Sequence, residues 1–153
     1  MLPTIALTGI RVIMGVFWLM QLTWKPPPTF GCPNEGFCLW LDKEIQYPTV
    51  PLYAEFVRVL VRPNVYLFGW LTTITEAAIG LSLLFGFFTR LGGLIGTLWS
   101  LNLLVGLASI PNEQPWYYIS IVLIDFLYFA LGSSRQLSID RALGLRSWWA
   151  RSE

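Results

Sequence analysis

Three ionisable side chains lie inside strongly apolar stretches of the sequence, and they are the first candidates for chemistry. Glu76 lies near the middle of the segment GWLTTITEAAIGLSLLFGFF, and Arg11 and Asp125 interrupt two other apolar stretches. Because an ionised group in hydrocarbon is costly, such residues face the interior of a helix bundle and pair with one another. We therefore predict a buried charge network of Arg11, Glu76 and Asp125.

One guanidinium in this network faces two carboxylates, so one negative charge is left over. We expect one carboxyl group to be protonated, and the deeper one, Glu76, is expected to carry that proton. Three hypotheses remain open for the role of the network. It locks the helices in register, it binds a ligand such as a quinone headgroup, or it transfers protons. No residue is assigned as catalytic.

The composition limits both the surroundings and the cofactors of the chain. Of 153 residues, 55% are hydrophobic and 12% are charged, against roughly 25% charged in soluble domains, which indicates one membrane-embedded domain over residues 1–153. The net charge of +1 gives no reason to expect a nucleic-acid partner. Histidine is absent, so the commonest ligand of metals and haem is missing. We expect no metal and no covalent cofactor, and only quinone or lipid as a bound molecule.

Four apolar stretches are long enough to cross a bilayer as helices, which takes about 20 residues each. The predicted spans cover about residues 3–24, 64–88, 91–110 and 115–132. The fold class predicted from them is all-α, an integral membrane four-helix bundle. The first stretch lacks the basic start of a signal peptide, so we expect it to be a retained span.

Basic residues near the span ends predict the orientation in the membrane. Arg90 lies in the turn between the second and third spans and four arginines follow the fourth span, whereas Glu113 is the charged residue of the remaining turn. Both termini are therefore predicted to be cytoplasmic, together with the tail over residues 133–153. The long loop over residues 25–63 is then on the outer side of what we expect to be the cytoplasmic membrane of a prokaryote.

Two cysteines, Cys32 and Cys38, lie in the loop segment FGCPNEGFCLW, with proline and glycine between them to turn the chain. On the oxidising outer side they are candidates for a disulfide. The alternative is a pair of free thiols in a structural loop. The spacing is neither the C-x-x-C of thioredoxin-like redox pairs nor that of a metal site with enough ligands.

Two segments outside the spans have the pattern of interfacial helices. In PTVPLYAEFVRVLVRP, residues 48–63, a charged and an apolar face are predicted. The charged face comprises Glu55, Arg58 and Arg62, and the apolar face comprises Leu52, Phe56, Val59 and Leu60. This helix fits the outer membrane interface or the surface of a partner subunit. In the tail, Trp148 and Trp149 beside arginines predict a second interfacial helix.

Small residues repeat every four positions in the second and third spans. They are Ala78, Ser82 and Gly86 in the second span, and Gly92, Gly96 and Ser100 in the third. Such stripes let helix backbones approach closely in lipid, where no hydrophobic force drives helices together. We predict that they form helix–helix contacts.

Three segments, in this order along the chain, resemble the DoxX/DoxD-like membrane proteins. TGIRVIMGVFWLMQLTWK resembles their first span, with an early arginine and a lysine at its far end. TEAAIGLSLLFGFFTRLGGLIGTL resembles their second-to-third-span hairpin, and FALGSSRQLSID resembles the closing segment of the DoxD type. The resemblance implies a small membrane subunit of the thiosulfate:quinone oxidoreductase type. A catalytic role would need a quinone bound by Arg11, Glu76, Asp125 and the aromatic side chains.

The chain supplies no evident redox centre of its own, which favours an accessory role over catalysis. We expect a subunit that docks on and stabilises a larger electron-transfer complex of the membrane, respiratory or photosynthetic. One alternative is a quinone-linked oxidoreductase subunit that acts on a sulfur compound such as thiosulfate. The other is a small transporter or proton pathway. The expected partners are membrane lipid and other subunits of the redox complex.

Overall fold

The computed structural model describes residues 2–131, with side chains from residue 5 onward, and this part of the chain is helical without any strand. The predicted all-α class is confirmed at that level. The predicted tail helix with Trp148 and Trp149 lies outside the described residues. The helices are α1 (Leu2–Met20), α2 (Gly36–Gln46), α3 (Pro51–Phe56), α4 (Val65–Phe85), α5 (Thr89–Leu107) and α6 (Pro115–Leu131).

The four longest helices are apolar on their outward faces. By length and composition α4 and α5 are able to cross a membrane. The apolar parts of α1 (Ile5–Met20) and α6 (Pro115–Leu131) are shorter. Large apolar side chains stand exposed on each of them: Ile13, Leu67, Leu98 and Leu123. Continuous exposed apolar surface of this kind marks contact with membrane or with other protein chains.

These four helices pack as neighbours in the order α1, α4, α5, α6. Side-chain hydrogen bonds join the first of them to the last. The Tyr128 hydroxyl donates to the Leu7 carbonyl at 2.8 Å, and the Trp18 indole donates to Asp125 at 3.4 Å. The shared core between the helices consists of Met14, Trp18, Ile79, Leu83, Ile121 and Tyr128.

Glycines allow the closest approaches between these helices. A Cβ on Gly15 of α1 would lie 2.5 Å from the backbone nitrogen of Leu84 in α4. A Cβ on Gly93 of α5 would lie just as close to the backbone nitrogen of Phe129 in α6. Backbone atoms occupy the space that a side chain needs at both positions, so glycine is required there.

The predicted small-residue stripes are divided among several contacts. Gly92 packs against Ser82 between α4 and α5, whereas Gly96 packs against Asp125 of α6. Gly86 ends α4 with a left-handed φ of 67°, so its role is to terminate the helix. Ala78 is exposed. The spacing of small residues at every fourth position predicted closely packed helix faces, but it did not indicate which helix each residue contacts.

Between α1 and α4, residues 21–64 form a compact segment that we call the cap. The predicted disulfide between Cys32 and Cys38 is present. Helix α2, which was not predicted, packs on the residues that follow α3, and the apolar cluster between them comprises Cys38, Leu41, Val57, Val61 and Val65.

The amphipathic segment predicted over residues 48–63 is helical, but a π-helical turn, Val57–Val61, alters its faces. Because a π turn holds more residues than an α turn, residues beyond it leave the α-helical register. Arg62 accordingly pairs with Asp42 of α2 at 2.6 Å, whereas Glu55 and Arg58 pair with each other at 2.8 Å. The predicted apolar face is exposed: Leu52, Phe56, Val59 and Leu60.

Candidate functional site

A buried ion pair connects the cap to the middle of α4. Lys25 Nζ lies 2.6 Å from Glu76 Oε1, and the two side chains are only 4% and 1% exposed. The ammonium group of Lys25 also lies over the ring of Trp24, 4.5 Å from its centroid. Because water is excluded from both charges, each of them depends on the other for stability.

Lys25, and not Arg11 as expected, is therefore the ion-pair partner of Glu76. The reason lies in the antiparallel register of α1 and α4, in which Gly15 meets Leu84 and Gly80 meets Leu19. In this register Arg11 lies beside the end of α4, about three helical turns from Glu76. The position of a residue along its own span does not determine which residues of a neighbouring helix it faces.

Three buried polar atoms around Glu76 have no hydrogen-bond partner among the described residues. They are Thr73 Oγ1, Glu76 Oε2 and Trp99 Nε1. Thr73 lies one turn before Glu76 on α4. The Trp99 indole of α5 points its N–H towards the Glu76 carboxylate and stabilises its charge, but the two groups do not reach the geometry of a formed hydrogen bond. Leaving a buried polar group unpaired costs about 1–3 kcal/mol. A cluster of such groups marks a place where a polar ligand is expected.

An apolar groove lies between α4 and α5, and two residues of its lining are about one helical turn from Glu76 and Trp99. It has a volume of about 310 Å³, and its lining includes Ala78, Ile79, Ser82, Phe85, Leu91 and Ile95. Ile79 follows Glu76 by three residues and Ile95 precedes Trp99 by four, so each shares a helix face with the polar residue. Phe85 and Leu91, which belong to its lining, are both about half exposed.

Asp125 of α6 belongs to a second buried cluster. The Ser100 hydroxyl donates to Asp125 at 2.9 Å, and Trp18 donates to its other oxygen. Arg11 is 2% exposed, and both Arg11 and Asp125 act electrostatically on Tyr128. All three predicted ionisable residues are thus buried, but the contacts of Asp125 are with other residues than those of Glu76. That Arg11 offsets the charge of Asp125 stays a prediction.

Comparison with known families gives a match over most of the chain. Residues 40–149 match the family described as TQO small subunit DoxD, where TQO is thiosulfate:quinone oxidoreductase. The chain belongs to the DoxD family. This confirms the family suggested by the three sequence segments. No curated protein and no solved structure matches the chain.

The DoxD match and the apolar helices together identify the chain as a membrane protein. The matched region contains α4, α5 and α6, and with them Glu76, Trp99 and Asp125. Lys25 and the disulfide precede the match. The ion pair of this DoxD protein is thus formed between a matched and an unmatched part of the chain.

The sequence reasoning missed Lys25 as a partner of Glu76, and it missed Thr73 and Trp99 entirely. Lys25 carried one signal, since the lysine at the far end of the first span was part of the family resemblance. Thr73 and Trp99 carried no such signal, because threonine and tryptophan are ordinary residues in an apolar helix. Their hydrogen-bonding atoms become unusual only when they are buried without a partner.

A third buried carboxyl in this DoxD chain, Glu44 of α2, was also not predicted. It is 9% exposed and lies against Gly106 of α5, where a Cβ would be 2.9 Å from Glu44 Cδ. It interacts electrostatically with Tyr53 and Tyr118. Burial raises the pKa of Glu44 to about 8. The cap is therefore docked on α5 through a carboxyl group that is protonated in the fold up to about that pH.

This raised pKa predicts a stability that depends on pH. The ordinary pKa of 4.5 applies in the unfolded chain, so between pH 4.5 and about pH 8 only the folded protein binds the proton. Stability therefore falls as the pH rises through this window, by up to about 1.4 kcal/mol per pH unit. We expect Glu44→Gln to flatten this dependence in melting curves recorded in detergent from pH 5 to pH 8. Glu55→Gln, at an exposed position, is the matched control and should keep the wild-type slope.

Proposed function

We propose that this DoxD chain is the small membrane subunit of a thiosulfate:quinone oxidoreductase-type complex and that it binds the quinone headgroup beside Glu76. The observation that carries the proposal is the cluster of Thr73, Glu76 and Trp99 atoms without well-formed hydrogen bonds among the described residues. Glu76 and Trp99 each lie about one helical turn from a residue that lines an apolar groove. A quinone matches both the polar cluster and the apolar groove, because its carbonyl oxygens are polar and its tail is apolar.

The unpartnered atoms fit both redox states of a quinone headgroup. The Trp99 N–H and the Thr73 hydroxyl are donors suited to a carbonyl oxygen, and Glu76 Oε2 is an acceptor suited to the hydroxyl of a quinol. Reduction of a quinone takes up two electrons and two protons. Glu76 with Lys25 supplies a proton-binding group in a water-excluded position, where burial and a neighbouring charge control its protonation.

For the arrangement in the membrane, we propose a four-span bundle of α1, α4, α5 and α6 with both termini in the cytoplasm. The positions of Arg90 and Glu113 in the two short turns support this orientation. A disulfide in the cap supports an outer, oxidising location for residues 21–64. We propose the cytoplasmic membrane of a prokaryote as the location. The groove then opens towards lipid, which is the route by which a quinone enters.

Quinone binding by the purified full chain tests the proposal. Trp99→Phe and Thr73→Val remove one hydrogen-bonding group each, and each is expected to weaken binding of decylubiquinone about fivefold, since one buried hydrogen bond contributes about 1 kcal/mol. Titrations followed by tryptophan fluorescence or calorimetry provide the measurement. Trp116→Phe is the matched control, because Trp116 is exposed and bonds only locally to Gln114. Absence of saturable binding, or equal affinities in the Trp99 and Trp116 variants, would contradict the proposal.

A second candidate function is the accessory role, in which the chain docks on and stabilises a larger complex. The exposed apolar face that begins at Leu52, which is 81% exposed, favours it, because a surface of this kind fits a partner subunit as well as lipid. Co-purification with a larger redox subunit by a chain that fails to bind quinone would favour this role over the first.

A further inference from the structure

The cap contains a second polar feature, which lies outside the proposed quinone site. The two sulfurs of the Cys32–Cys38 disulfide differ in their surroundings. Cys38 is completely buried, whereas Cys32 lies half-buried in the turn before α2. The guanidinium of Arg62 donates a hydrogen bond from Nη1 to Cys38 Sγ at 3.4 Å. Cys32 is thus the more accessible of the two cysteines, and the Cys38 sulfur lies beside a positive charge.

Arg62 is held in this position by its other contacts. Its Nε and Nη2 donate to the two carboxylate oxygens of Asp42 at 2.6 and 3.1 Å. It follows directly after the π-helical turn Val57–Val61. Such turns are rare and frequently occur at functional sites. Here the π turn removes Arg62 from the register of Glu55 and Arg58 and brings it to α2.

We propose that this disulfide is a reaction site for sulfur nucleophiles, attacked at Cys32 with Cys38 as the leaving group. A thiolate or a thiosulfate anion attacks Cys32 Sγ. The bond between the two cysteine sulfurs breaks as the new bond to Cys32 forms. The electron pair of the broken bond remains on Cys38 Sγ as a thiolate beside Arg62.

A second anion completes the exchange. It attacks the sulfur bonded to Cys32, joins the first anion through a new S–S bond, and releases Cys32 as a thiolate. Two electrons have then passed from the two anions to the cysteine pair. With thiosulfate as the nucleophile, the proposal rests on the proposed function: reoxidation of the two thiolates to the disulfide delivers two electrons to a quinone, which takes up two protons from water. The exchange with a thiol does not rest on it.

Arg62 determines the direction of attack. Thiol–disulfide exchange is faster when the leaving thiol has a low pKa and when the attacked sulfur is accessible. A neighbouring arginine lowers the pKa of a thiol because it stabilises the thiolate. Both factors select Cys32 as the attacked sulfur and Cys38 as the sulfur that leaves.

The experiment uses the full chain purified in detergent and incubated with thiosulfate or with glutathione. Alkylation stops the reaction, and peptide mass spectrometry identifies the adducts. We expect the adduct on Cys32 and the alkyl group on Cys38. Arg62→Gln should slow adduct formation about tenfold or more, since a hydrogen bond to a charged group contributes about 1.5–3 kcal/mol. Arg58→Gln is the matched control and should leave the rate unchanged, because Arg58 pairs with Glu55 on the exposed surface.

Asp42→Asn distinguishes a chemical role of Arg62 from a structural one. This variant also disrupts the ion pair of Arg62 but leaves the guanidinium in place with its charge uncompensated, so the rate should stay the same or rise. An equal loss of rate in both variants would overturn the proposal. An adduct on Cys38, or no adduct with either reagent on the folded protein, would do the same.

The two reagents separate this proposal from the proposed function. Adducts with glutathione but not with thiosulfate would support a reactive disulfide and exclude thiosulfate as its substrate. The decylubiquinone titration does not involve the cysteines, so failure of quinone binding would leave the exchange rates unaffected.

Discussion

Lys25→Met is expected to destabilise the protein by about 3–5 kcal/mol, because removal of one partner leaves the other charge buried and uncompensated. Glu76 retains 1% side-chain exposure in the fold, so water has no access to replace the lost ammonium group. Unfolding of the purified protein in mixed micelles, followed by circular dichroism, measures the change. The effect is large relative to the 5–15 kcal/mol that is typical of total protein stability.

The double variant Lys25→Met with Glu76→Gln provides the critical comparison. It removes both charges, so it should recover most of the stability lost in the single variant. The pair Arg58–Glu55 is the surface control, since its side chains are 57% and 55% exposed. Arg58→Met should cost less than about 1 kcal/mol. If Lys25→Met costs no more than that, the buried ion pair is not important for the fold.

Gly93→Ala is expected to separate α5 from α6. A Cβ at this position would overlap the backbone nitrogen of Phe129 and lie 2.8 Å from the Asp125 carbonyl oxygen. Backbone atoms of a neighbouring helix cannot turn aside as a flexible side chain can. We therefore expect the variant to be less stable by about 1–3 kcal/mol or more. Thermal unfolding in detergent measures it, and disulfide cross-linking between the two helices would report the displacement.

Gly9→Ala is the matched control for this substitution. It also lies in an apolar helix, but a Cβ there has nothing within 4 Å among the described residues. Because alanine favours helix over glycine by about 1 kcal/mol, this variant should be neutral or slightly more stable. Equal stabilities for the Gly93 and Gly9 variants would show that α5 and α6 do not pack as closely as described.

The helices and the small-residue faces followed from local patterns. Long apolar runs require helices in lipid, because every backbone polar group has to be satisfied within its own segment. The charged residues inside those runs were recognised as buried because an ionised group in hydrocarbon is costly. The cysteines, six positions apart with proline and glycine between them, were sufficient to predict the disulfide.

The partners of the buried charges did not follow from local patterns. Asp125 receives hydrogen bonds from Trp18 and Ser100, neither of which differs in sequence from an ordinary core residue. Glu44 lies in a helix whose apolar pattern is interrupted by three charged residues, so α2 itself was not predicted. The π turn likewise moved Arg62 away from the face that an α-helical periodicity assigned to it.

By itself, the sequence determined that this DoxD protein is helical and apolar and that it buries Arg11, Glu76 and Asp125, and it favoured a disulfide in the cap over free thiols. Only the tertiary structure decided that Glu76 meets Lys25 and that Cys38 meets Arg62. These contacts join residues 51 and 24 positions apart. They depend on the register in which separate helices pack, and the periodicity within one helix does not specify that register.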